Sequence, residues 1–335
     1  MEKVVILGSA FPAIHLSTLL QTAQYDVRVV DTHRNPVPSS VPYSRIDDWS
    51  ISKLSPHLKG VESVILIVPF DIPLENVTHD MEAMRNEQIV SRIEHSLDAI
   101  LHSKVRRLIY LGDAYSSLPV DDNYGISEQK HLGIPSSFLL GSYGEALCRA
   151  ELTARNRMKE KSSISSIFLR PVMCAENPWF DRLAQKASKG EVPFIRGNRR
   201  SQHQFVALHN ILQLIQQVIT VDRTTHFSLE FCMIHFSQYL LPSYVMSVLL
   251  SRCPSFALSE TSFISAFATH LKAHLFHSYS LSAPSSLLLP LPTFRLLFDK
   301  TVGFSNRKQR LLLNFVPTEE PIQTMKKRAP PMRMG

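Results

Sequence analysis

Val4 to Leu7 is an unbroken apolar run closed by Gly8, the pattern of a strand buried on both faces of a parallel sheet. Residues 12–24 then predict a helix, with Pro12 in its first turn and Ile14, Leu16, Leu19 and Leu20 available for packing. Val27 to Asp31 predicts a second strand that ends on an acid, which completes a βαβ unit of the mononucleotide-binding kind. The alternation continues with a helix around 50–59, a strand over 63–68, a helix over about 86–102 and a strand over 107–111. A helix running from Tyr143 to about Lys159 leads into the strand Ile164 to Leu169. Strand–helix alternation this regular predicts an α/β fold with a doubly wound parallel sheet.

After about residue 175 the pattern loosens. Residues 204–221 read as a short strand running into a helix, and 227–300 are rich in Ser, His, Phe and Leu with few acids. The expected organisation is a nucleotide-binding domain over 1–175, a smaller substrate lobe over 176–325 interleaved with the sheet, and a disordered basic tail over 326–335. Two uncharged windows, 231–251 and 273–294, are interrupted by Pro242 and by Pro284, Pro290 and Pro292, which argues against a spanning helix. Packed helices of a small lobe and attachment to a membrane surface are the two readings of that region.

Composition narrows the class. A chain of 335 residues with 44% hydrophobic and 19% charged residues has ample core for a globular protein. The net charge of +7 gathers partly in 326–333 and at Arg196, Arg199 and Arg200, and no basic face interleaved with aromatics suggests nucleic acid as a partner. The four cysteines, Cys148, Cys174, Cys232 and Cys253, have no metal-type or short spacing and read as reduced thiols of an intracellular protein. The first residues enter a strand at once, which leaves no room for a signal peptide. The carboxylate pairs Asp47/Asp48, Asp121/Asp122 and Glu319/Glu320 read as solvated surface of loops or tails, and the fourteen histidines show no metal-ligand spacing, so no metal is expected. Asp71 and His79 read as surface residues of a loop.

Three places carry candidate chemistry. A dinucleotide site wants glycines at the first strand-to-helix turn, so that backbone can approach a pyrophosphate resting on the helix N-terminus. The turn here is Gly8-Ser9-Ala10-Phe11-Pro12-Ala13-Ile14, in which Gly8 alone remains of glycines at 8, 11 and 14. Asp31 stands where an acid would bind an adenine-ribose 2′-hydroxyl, and reads equally as a strand-end capping residue; the nearby Arg34 leaves a 2′-phosphate open. Tyr143 opens a helix before a strand ending in Leu169-Arg170-Pro171. A lysine one turn after such a tyrosine would lower the phenol's pKa toward the working range, but position 147 is leucine. Arg149, six residues on, falls on the opposite helix face, and Lys130 reads as a surface residue.

Several runs together resemble the extended short-chain dehydrogenase/reductase superfamily, and within it the 3β-hydroxysteroid dehydrogenase/isomerase branch. They are Val4–Gly8, the stretch 45–68 beginning Arg-Ile-Asp-Asp-Trp, Lys104–Tyr110, Tyr143–Glu151, Leu169-Arg170-Pro171 and Phe205-Val206 with Asn210. Phe304-Ser305 with Lys308, and Pro317 with Glu319-Glu320, resemble the closing pattern of that branch. The likeness covers about 1–222 and 298–325.

The resemblance implies a Rossmann-like domain binding NAD or NADP through Gly8, Asp31, Arg170 and Pro171, with Tyr143 as the catalytic acid/base. It also implies oxidation of a CH–OH group of a steroid-like or other hydrophobic substrate, a homodimer, and a place in the cytoplasm or at the endoplasmic reticulum membrane surface. The departures fall on the chemistry. Phe11 and Ile14 replace two glycines, Arg45 replaces an aspartate, Leu111-Gly112-Asp113 replaces a Thr-Ser-Ser run, and Leu147 replaces the lysine. At the serine's position Asp113 reads as a carboxylate that would repel a developing alkoxide. Two expectations follow: a dehydrogenase-like protein with a degraded active site, or a catalytically inactive pseudoenzyme of the same fold with a binding or regulatory role.

Overall fold

The apolar runs do become the interior of a parallel sheet. In this computed structural model β1 (Lys3–Leu7), α1 (Ala13–Thr22) and β2 (Asp26–Asp31) form the opening βαβ unit, followed by β3 (Tyr43–Arg45), α2 (Ile51–Leu58) and β4 (Ser63–Ile67). Next come α3 (His79–Leu101), β5 (Arg107–Leu111), β6 (Asn123–Ile126), α4 (Gly141–Glu160) and β7 (Ser165–Pro171). The later chain adds β8 (Met173–Cys174), α5 (Pro178–Ser188), β9 (His203–Val206), α6 (Leu208–Thr220), β10 (Glu230–Ile234) and β11 (Tyr239–Leu240). It closes with α7 (Leu291–Phe298), β12 (Val302–Phe304) and α8 (Pro321–Lys327). The structure describes residues 1–33, 40–69, 71–121, 123–126, 134–160, 163–174, 176–188, 202–220, 230–234, 239–240, 289–305, 310–311 and 314–327.

Seven parallel strands pair in the order β10-β7-β5-β4-β1-β2-β3. Every residue of β4 and β5 is buried, which is why those strands read as continuous apolar runs rather than alternating ones. The order runs outward from β1 to β2 and β3 on one side and from β4 to β5 and β7 on the other. The reversal between β1 and β4 is the topological switch point, and the crevice at its carboxyl end is where sheets of this type bind ligands. A second sheet, β11-β9-β12-β6 with β8 beside β9, assembles residues from both halves of the chain. The doubly wound parallel sheet is therefore present, and β10 shows the later chain contributing an edge strand to it.

α3 begins about two turns earlier than its apolar periodicity predicts. Thr78 Oγ1 accepts a hydrogen bond from Met81 N at 3.4 Å, and Asp80 and Glu82 sit in the first turn, where carboxylates favour the positive end of the helix. Its stripe of Val90, Ile93, Leu97 and Ile100 is buried, and the helix packs against α4 and α2. This placement brings the middle of α3 across the end of β4 toward Gly8.

Among the described residues no helix is long and apolar enough to cross a membrane. The first uncharged window begins with β10 and β11, and the second ends in α7; the rest of both lies outside the described residues. Of the basic tail, Lys326 and Lys327 belong to α8 and the remainder lies outside them, as do Arg34 and Lys130.

Candidate functional site

Gly8 ends β1 with φ +106°, a backbone angle that suits glycine, and its N–H donates to Val30 O at 2.9 Å. Any Cβ at this position would collide with the guanidinium of Arg92 and come within 3.2 Å of Ile67 O. The next residue, Ser9, turns inward: its N–H and its hydroxyl both donate to Asp31 Oδ2 at 2.5 Å. Asp31 Oδ1 accepts from Thr32 N at 2.6 Å and lies 3.0 Å from His33 Nδ1. Burial pushes the Asp31 carboxyl up, but the Ser9 hydrogen bonds, the charge of Arg92 and the His33 contact outweigh it and hold the pKa at about 2. Asp31 thus fastens the first turn to the end of β2 as a permanent carboxylate.

α1 offers a poor anion seat. Pro12 occupies its N-cap without a side-chain cap and has no N–H, and Ala13 N already donates to Ala10 O at 2.8 Å. Phe11, Pro12, Val68, Gly112 and Pro171 line a space of only about 20 Å³ at the ends of β1, β4, β5 and β7. That holds a water molecule, whereas a benzene-sized ring needs roughly 150 Å³.

On the other side of the switch point the picture reverses. A cleft of about 830 Å³ opens between the ends of β2 and β3 and the flank of α3, lined by His33, Asp48, Trp49, Arg85, Arg92 and His95 among others. Arg92 stacks over the Trp49 ring at 4.3 Å and donates from Nη2 to Ile67 O at 3.2 Å. Burial pulls its pKa down while the Asp31 charge opposes that pull. Its Nε, and Nε and Nη2 of Arg85, are buried without a hydrogen-bond partner among the described residues. Sequence reasoning missed both arginines. The available signal was their seven-residue spacing, which puts them on one helix face, but only the docking of α3 against Gly8 gives it meaning.

Tyr143 lies in the first turn of α4 and is 2% exposed. Its hydroxyl donates to Pro69 O and accepts from Asp71 N, both at 3.0 Å, and Arg85 lies over the ring at 5.6 Å. Burial, then the charge of Asp113, raises the phenol's pKa. This is the opposite of the lowering that a neighbouring ammonium would produce. Leu147 is buried in the core one turn on, and Arg149 is exposed.

Asp113 follows β5, 3% exposed, with Oδ1 accepting from Tyr115 N at 2.6 Å. Burial, with a contribution from Glu151, pushes its pKa up to about 7. Burial therefore favours the protonated form of Asp113 over the fixed negative charge expected at this position. Arg170 does not face solvent. Its Nε donates to Glu151 Oε2 at 2.8 Å and Oε1 at 3.1 Å, its Nη2 also reaches Oε1, and both residues are 4% exposed. The pair ties β7 to α4. Pro171 O accepts from Ala114 N at 3.0 Å, and its ring borders the small space beside Phe11.

A further cleft of about 380 Å³ lies beyond Tyr143, lined by Asp71, Glu75, Arg85, Arg182 and Lys186 among others. Arg182 pairs with Asp71, which places Asp71 at this cleft's wall, and Lys186 lies 3.5 Å from Glu75. No cluster of metal-ligating side chains occurs among the described residues.

No family model and no curated protein matches the chain. Solved structures do. MoeE5 in complex with UDP-glucuronic acid and NAD superposes with a TM-score of 0.68 over 97% of each chain at 17% identity. UDP-glucuronic acid 4-epimerase from Bacillus cereus in complex with NAD gives 0.65 at 17% identity, over 97% of this chain and 94% of that one. A short-chain dehydrogenase/reductase superfamily protein from Agrobacterium tumefaciens with bound NAD gives 0.66 at 13% identity, over 97% and 95%. This chain shares their fold. The Rossmann-like α/β architecture is thereby shown, and the hydroxysteroid branch is not singled out among these neighbours.

Proposed function

We propose that the chain is an NAD(P)-binding protein of the short-chain dehydrogenase/reductase type, acting slowly on a CH–OH group through a site that lacks the tyrosine–lysine pair. The observation that carries this reading is the cleft of about 830 Å³ beside the switch point, lined by Arg85 and by the Arg92 that abuts Gly8, both with buried donors that have no partner among the described residues. Those groups fit the adenosine-diphosphate half of a dinucleotide. The nicotinamide half fits only if the half-buried Phe11 side chain leaves the small space between β1 and β5. A ring that must displace Phe11 is bound productively in only a fraction of complexes, which lowers apparent affinity and rate together.

When bound, a nicotinamide would accept or give the hydride. The chain's own part is to hold the alcohol and move its proton. Asp113, at the position the resemblance gives to the polarising serine, is the group whose proton affinity suits this near neutral pH. Tyr143 acts as a positioning residue that fixes the 69–71 backbone. Its raised pKa leaves it neutral throughout the working range. The charged lining of the cleft beyond it, Arg182 paired with Asp71 and Lys186 beside Glu75, favours a polar substrate over the steroid-like one implied by sequence resemblance.

A second reading, ligand binding without turnover, draws on the engaged Tyr143 hydroxyl and the buried Leu147. Thermal unfolding of the full-length protein with NAD⁺ and NADP⁺ tests the ground common to both. A cofactor at a hundred times its Kd contributes about 2.7 kcal/mol, enough to raise Tm by several degrees. No shift at millimolar NAD⁺ or NADP⁺ rejects both readings. Binding with no hydride transfer to any CH–OH compound, unchanged in Asp113→Asn, leaves the second.

A further inference from the structure

We propose that Arg92, assisted by Arg85, binds the phosphates of the nucleotide from α3, in place of the α1 N-terminus that ordinarily does so in sheets of this kind. The proposal rests on NAD(P) being the ligand of this cleft. Near the usual phosphate seat Ser9 N is spent on Asp31, Ala13 N on Ala10 O, and Pro12 has no N–H to offer. An anion approaching Gly8 therefore meets few free backbone donors and the benzyl group of Phe11.

The cation that the turn lacks arrives from the other wall. Arg92 reaches across the end of β4 until its guanidinium touches the face of Gly8, where the absence of a Cβ leaves room for it. Two contacts hold it there: the Ile67 carbonyl at 3.2 Å and the Trp49 ring at 4.3 Å. Each leaves donors over. A planar guanidinium has five N–H groups, and Nε of Arg92 is buried without a partner among the described residues. Arg85, two helical turns earlier on the same face, also lines this cleft with Nε and Nη2 buried and unpartnered. A buried donor without an acceptor is costly, and two such side chains lining one cleft are explained by an acceptor that arrives with the ligand. A diphosphate supplies the charge, and its oxygens suit guanidinium forks.

The competing reading of the same contacts is that Arg92 fills the ligand's place as a plug. The two readings give opposite signs on a single substitution. Isothermal titration of the full-length protein with NAD⁺, and separately with uncharged adenosine, would be run on wild type, Arg92→Ala, Arg92→Lys and Arg85→Ala. The expected result is NAD⁺ affinity at least tenfold weaker in Arg92→Ala and about threefold weaker in Arg85→Ala, with adenosine binding changed by less than twofold. Arg92→Lys keeps the charge and recovers part of the loss. Unchanged or tighter NAD⁺ binding by Arg92→Ala overturns the proposal and leaves the proposed function standing. Absence of binding by wild type overturns both. Should Arg92→Ala fail to fold, Arg85→Ala and Arg92→Lys decide: wild-type affinity for NAD⁺ in both would overturn it.

Discussion

The two flanks of the switch point treat their polar groups in opposite ways. Beside β2 and α3, arginine donors are buried without partners over a cleft of about 830 Å³. Beside β5 and α4, Tyr143, Asp113 and the Glu151–Arg170 pair are engaged by protein groups, and the space next to Phe11 is about 20 Å³. The first flank is arranged to receive something. The second is arranged to hold itself together. On the proposed function, phosphate recognition and proton transfer would sit on different strands of the same sheet, so that one can change while the other keeps room for a ligand.

The most disruptive test of the self-contained flank is Glu151→Ala, which strands the buried Arg170 cation. Loss of one partner of a buried pair costs about 3–5 kcal/mol, and denaturant unfolding is expected to show it. A loss under 1 kcal/mol would mean that Arg170 reaches solvent and remains available to a ligand.

Asp113→Asn is expected next in size, and its effect depends on pH. With the folded pKa raised to about 7, the carboxyl's contribution to stability is full below the unfolded value near 4 and is lost as pH rises through 7. The substitution should therefore stabilise the protein at pH 8 relative to wild type by up to a few kcal/mol. That relative gain should vanish at pH 4, as read by thermal unfolding across that range. A pH-independent difference would place Asp113 in water.

Tyr143→Phe removes a hydroxyl that serves Asp71 N and Pro69 O, at a cost of about 1–3 kcal/mol for the groups left unpaired. NAD⁺ affinity should change by less than twofold, since Tyr143 belongs to the other flank. A tenfold loss of affinity with unchanged stability would move it to the ligand side. The smallest expected effect is Thr78→Ala, about 1 kcal/mol from the lost cap of α3. A slightly weaker hold on NAD⁺ should accompany it, because α3 carries Arg85 and Arg92. Undiminished affinity would show that the arginines do not depend on that end of the helix.

Much of the sheet was legible in the sequence, for a simple reason. β1, β4, β5 and β7 are buried on both faces or nearly so, and a buried strand must write itself as an apolar run, while β2 exposes Asp26 and Arg28 and still shows its buried Val27, Val29 and Val30. β3 and the strands of the second sheet other than β9, only two to four residues each, leave too short a pattern to read, whereas β9 showed as the short strand running into α6. At the site, Gly8, Asp31 and Tyr143 stood out because their positions follow from local order along the chain. Arg92 did not, since nothing near it in sequence reveals that α3 crosses β4 to meet Gly8. The burial of Asp113 was not legible for a related cause: a side chain's charge depends on its surroundings, and burial after β5 is a tertiary fact.

The contrast between an open phosphate flank and a filled nicotinamide space is tested most directly by comparing ADP-ribose with NAD⁺ in isothermal titrations, on wild type and on Phe11→Ala. The expected result is that wild type binds ADP-ribose at least as tightly as NAD⁺, because the nicotinamide ring must displace Phe11, and that Phe11→Ala shifts the preference toward NAD⁺. Wild-type affinity for NAD⁺ ten or more times greater than for ADP-ribose would contradict it.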